Sequence, residues 1–101
     1  MDTDHLSSET YKAIIVEAEK FNHDLTLQFG VLADSCKNEM EYIANAKILI
    51  EEFKNLDAND MDDLFFGSPP PKKFLLQALD KISANIMMVE KIPEKDRHYD
   101  F

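Results

Sequence analysis

Glycine occurs only twice in this 101-residue chain, at Gly30 and Gly67, and cysteine once, at Cys36. Two glycines are too few for the turns of a strand-rich fold, and they exclude a glycine-rich phosphate-binding loop. A lone cysteine excludes an intrachain disulfide and weakly favours a reducing compartment. Lys37 is next to it, but Asp34 and Glu39 are close too and no histidine is placed to help. Cys36 therefore reads as a small, half-buried side chain near a helix end. No apolar run approaches the ~20 residues that a membrane-spanning helix needs. The first residues, Met1 to His5, lack a basic start and an apolar stretch, so no secretory signal is expected and the chain reads as cytoplasmic. Basic side chains are also scarce, 11 against 20 acidic ones, for a net charge of −9. That balance repels nucleic acid and anionic lipid and suits a basic protein partner.

What is present is helix-forming. Hydrophobic residues make up 45% of the chain, with seven Phe and three Tyr to fill a core and no Trp. Period-2 alternation never lasts more than a few residues. Leu75, Leu79, Ile82, Ile86 and Val89 recur at spacings of four, three, four and three, which places them on one seam of a single helix. A second stripe runs through Tyr11, Ile14, Ala18, Phe21, Leu25, Phe29 and Leu32, widened by Ile15. A third holds Met40, Ile43, Ala46, Ile50 and Phe53, flanked by Tyr42 and Leu49. Ser7 or Ser8 caps the first helix, and Asn38 followed by Glu41 caps the second. Pro69-Pro70-Pro71 leads into the third, because proline loses nothing in the first helical turn.

The expected fold is all-α: an up-down-up three-helix bundle with helices over about 8–34, 37–55 and 70–91. A short extra helical turn at Asp60–Phe66, stopped by Gly67 in the left-handed region, precedes the third helix. One uninterrupted helix over residues 8–54 is the alternative and would need a partner chain to cover it. Residues 1–92 form a single helical domain in this reading, and residues 93–101 a loose charged tail.

Motifs for chemistry are weak. The acidic stretch from Asp57 to Asp63 fails as an EF-hand: counting from Asp57, the fifth position is Met61, the sixth Asp62 and the twelfth Ser68. No Glu-x-x-His pair exists for a di-iron site, and no cofactor or structural metal is expected. Glu17, Glu19, His23 and Asp24 are the residues that metal-assisted hydrolysis would have to use, on polar parts of the first helix. The favoured expectation is a non-enzymatic interaction module that binds a protein partner or forms a homodimer. Phe65 and Phe66, adjacent in an irregular segment, and Met87 and Met88, at most one of which fits the third seam, are the candidate anchors. Off-seam Val16, Leu27 and Val31 add apolar surface. The alternative is an acidic inhibitor or immunity-type protein, with Asp57, Asp60, Asp62 and Asp63 steering a basic nuclease or toxin.

Overall fold

The computed structural model describes residues 5–99, and these are helical without a strand. Ser7 caps α1 (Ser8–Tyr11) by accepting a hydrogen bond from the Thr10 N–H. A π-helical turn, Lys12–Val16, and α2 (Glu17–Phe21) follow without interruption. Ala13, Ile14 and Ile15 are all buried in that turn. Three consecutive buried residues do not fit one helical stripe. They fit here because α6 packs against the turn from one side and α3 from another. The Asn85 side-chain amide of α6 also donates to the Ala13 carbonyl, at 3.2 Å.

The single first helix expected over 8–34 is corrected by a break at Asn22. Its backbone is extended (φ −163°, ψ 138°), and its side-chain oxygen accepts from the N–H groups of Asp24 (2.8 Å) and Leu25 (3.1 Å). The Thr26 hydroxyl donates back to the Asn22 carbonyl at 2.9 Å. Asn22 thus starts a new helix, α3 (His23–Ser35), inside an apolar stripe that carries no proline or glycine at that point. The break also removes the alternative of one helix over 8–54.

Cys36 ends α3, buried, and desolvation raises its thiol pKa, helped by the Glu41 charge. Asn38 then caps α4 (Glu39–Lys54) by accepting from the Glu41 N–H at 2.9 Å. The two helices are joined inside the core. The Tyr42 hydroxyl of α4 donates to the Phe29 carbonyl at 3.1 Å, and the Phe29 and Phe53 rings meet edge to face at 6.0 Å. Burial drives the Tyr42 pKa upward.

Asp57 caps α5 (Ala58–Leu64). The helix closes with the Gly67 N–H on the Asp62 carbonyl at 2.8 Å, the longer bond of a Schellman turn. The residue that occupies the left-handed cap position is Phe66, at φ +53°, with Gly67 following at φ +83°. α6 (Lys72–Glu90) starts after Pro71 and buries Leu75, Leu79, Ile82, Ile86 and Val89. It packs against α1, the π turn, α2 and α4.

The expectation of a loose tail is also corrected. A short 3-10 turn, Glu94–Asp96, leads residues 97–99 back over the bundle, where the His98 carbonyl accepts from the Ser8 N–H. Residues 100 and 101 lie outside the described part.

Leu79 lies at 0% exposure in the middle of the α6 seam. Leu79→Ala is expected to lower the unfolding free energy by about 2–5 kcal/mol, from lost transfer energy and a partly uncollapsed cavity. Urea denaturation followed by circular dichroism measures it.

Candidate functional site

The anchors proposed from sequence separate once placed in the fold. Phe65 is 1% exposed and belongs to the core, so as a surface anchor it is corrected. Phe66 points the other way and is 79% exposed. Adjacent residues at a helix end diverge, which is why only one of the pair reaches solvent. Met87 (60%) and Met88 (66%) both lie off the α6 seam. Met88 lines a groove of about 430 Å³ with Ala13, Val89 and Ile92, bounded by Glu9, Lys12 and Asn85. Leu27 and Val31, one turn apart on α3, are exposed, and Val16 is half-buried.

Asp57 is engaged as a cap, its oxygen accepting from the Asp60 N–H at 2.8 Å, while Asp60, Asp62 and Asp63 are exposed on α5. Among the described residues no group of three or more His, Cys, Asp or Glu side chains is placed to hold a metal ion. Glu17 bridges Lys20 at 3.5 Å, and Glu19 and His23 are exposed.

Sequence reasoning missed two features. The first is α4's outward stripe. Met40, read as a core residue, is 73% exposed, and Ile48 two turns later is 57% exposed, with exposed Ala44 between them. The buried face of α4 is instead Glu39, Tyr42, Ile43, Ala46, Ile50 and Phe53. Met40 falls just outside that face when Tyr42 rather than Met40 sets the seam.

The second is Glu39, a buried carboxylate on which three chain segments converge. One oxygen accepts from the Ser7 N–H (2.7 Å) and the Ser7 hydroxyl. The other accepts from the Arg97 guanidinium (2.9 Å) and the Tyr99 hydroxyl (2.8 Å). Burial alone would raise the Glu39 pKa. Hydrogen bonds from the Ser7 hydroxyl, the Ser7 N–H and the Tyr99 hydroxyl outweigh it and hold the group at about 2. Desolvation and the same carboxylate push Tyr99 up to about 12. With four donors on its two oxygens, Glu39 has no acceptor site left for a substrate. It acts as a clamp between α4, the N-terminal cap and the C-terminal strap. The signal in the sequence was an acid one turn before Ile43, on the seam itself.

The clamp sets an acid dependence. A carboxyl with its folded pKa lowered from 4.5 to about 2 stabilises the fold fully above the unfolded value, and that stability is lost as pH falls from about 5 towards 2. Glu39→Gln leaves Arg97 without its charge partner, so at pH 7 a loss on the order of 2 kcal/mol is expected. The gap between wild type and variant should close on acidification from pH 5 to pH 2, as read by urea midpoints. A gap independent of pH would contradict the clamp.

Comparisons with protein families, with curated proteins and with solved structures gave no match.

Proposed function

We propose that this chain is a small, non-enzymatic protein-interaction module of the cytoplasm, acting through apolar side chains that its own core leaves uncovered. The helices are read as an up-down-up bundle, with residues 8–35 as the first arm, α4 as the second and α6 as the third. No helix among the described residues is long and apolar enough to cross a membrane.

Phe66 carries the proposal. Its side chain is exposed, so it adds nothing to the core, and its backbone sits in the left-handed region. That conformation costs a residue with a Cβ roughly 1–2 kcal/mol, which glycine or asparagine would avoid. Nothing within the fold asks for phenylalanine at this position. An aromatic side chain held outward at a conformational cost suits a contact with another molecule, where aromatic anchors dominate binding energy. Exposed Met87 and Met88 are adaptable apolar contacts of the same kind.

A second reading, an acidic inhibitor of a basic nuclease or toxin, draws on α5. The carboxylates of Asp60, Asp62 and Asp63 are exposed there, without an ion pair among the described residues. Such a partner would associate fast at low salt and several-fold slower at physiological salt.

Phe66→Asn tests the leading proposal. Thermal unfolding should show equal or higher stability, since asparagine tolerates the left-handed region. Affinity capture from native lysate should show bound protein lost from Phe66→Asn and from the Met87→Gln/Met88→Gln pair. Unchanged capture by both variants, or unfolding of Phe66→Asn, would contradict it.

A further inference from the structure

We infer that the outward face of α4 is a docking groove for a basic amphipathic helix of a partner protein. The inference deepens the interaction reading and rests on it, but it uses a different surface from Phe66. Met40, Ala44 and Ile48 stand at i, i+4 and i+8 and form an exposed apolar ridge along the helix. Two grooves continue one another beside that ridge and share Lys47. One, of about 290 Å³, lies between α4 and the strap and is lined by Met40, Ile43, Glu90 and Glu94. The other, of about 670 Å³, runs past Ile48 and Leu56 to Glu51, Glu52 and Asp60. Together they follow the length of α4, a helix of 16 residues and so about 24 Å.

Charge selects the occupant. Of the cations lining these grooves, Lys47 bridges Glu90 at 2.8 Å and Arg97 bridges Glu39 at 2.9 Å, while Lys72, at the Leu56 end of the larger groove, is held on the Leu56 carbonyl at 2.6 Å. Lys54 lies 3.8 Å from Glu51 but closer to Asp80, at 3.0 Å. Glu52, Asp60 and Glu94 have no ion pair among the described residues. The face therefore offers an apolar ridge bordered by uncompensated carboxylates. A second copy of this chain would bring the same acids against themselves. A segment with leucine-type residues at i, i+4 spacing and lysine or arginine on its flanks satisfies both features, as amphipathic helices do in apolar grooves.

The test is a titration of the isotopically labelled full chain with a synthetic 16-residue Leu/Lys amphipathic helical peptide, followed by amide chemical shifts. The controls are a scrambled peptide of the same composition and a Leu/Glu counterpart. Shift changes should concentrate on residues 40–55, with neither control binding. Met40→Gln/Ile48→Gln and Glu51→Gln/Glu52→Gln/Asp60→Asn should each weaken binding at least tenfold, while Phe74→Gln, on another face, leaves it unchanged.

Binding by the scrambled peptide at equal strength would mean charge attraction alone and would overturn the inference. So would shifts centred on Phe66 or the Met88 groove, or no binding at all. A dimer in sedimentation that Met40→Gln/Ile48→Gln disperses would replace the helix with a second copy. If this titration fails while Phe66→Asn still abolishes lysate capture, the α4 assignment falls and the interaction reading stands. If α4, Phe66 and methionine variants all capture as wild type does, the interaction reading itself falls.

Discussion

Removal of the α6 seam from water is the interaction on which the other elements depend. Leu75, Leu79, Ile82 and Ile86 are essentially inaccessible, and each contributes about 1.5–3 kcal/mol of transfer free energy. The helical run over residues 8–21 (α1, the π turn and α2) has 14 residues, marginal alone in water, and gains its order from packing against α6. The same dependence explains the π turn between α1 and α2. Its three consecutive apolar residues find cover only because α6 and α3 lie on different sides of it.

Apolar burial does not close the molecule at the end where its described termini meet. There the chain uses charge. Glu39 stands where an apolar seam residue would otherwise be, and its oxygens gather Ser7, Arg97 and Tyr99. A buried carboxylate without partners would be costly, whereas one with four donors fixes the relative position of three segments. The strap it holds forms one wall of the groove beside Met40. A polar contact made for stability thereby shapes the surface offered to a partner.

The all-helical class was legible because the α6 seam and the capping residues Ser7 and Asn38 all pointed to helix and were all used. The Asn22 break was not, since asparagine within an apolar stripe is compatible with an interior helical position until its side chain is seen to take the Asp24 and Leu25 N–H groups. The C-terminal segment looked loose because its charge gave no periodic signal. Its anchor, Glu39, lies 58 residues from Arg97 in sequence, and no local pattern reports such a pairing. On the surface, the pairing of Phe65 and Phe66 could be flagged but not resolved. Which ring points inward depends on the left-handed turn, which takes in Phe66 as well as the Gly67 expected to adopt that conformation. Placing Met40 on the α4 seam, which Glu39 and Tyr42 complete instead, hides the ridge, because Met40 falls only just outside the buried face.

Native-state hydrogen exchange, residue by residue, tests most directly whether α6 organises the fold. The account predicts that the slowest amides lie between Leu79 and Ile86 and exchange only through global unfolding. Amides around Phe66 to Ser68 should exchange orders of magnitude faster. Exchange of the Leu79–Ile86 amides through local opening, while α3 and α4 remain protected, would contradict it.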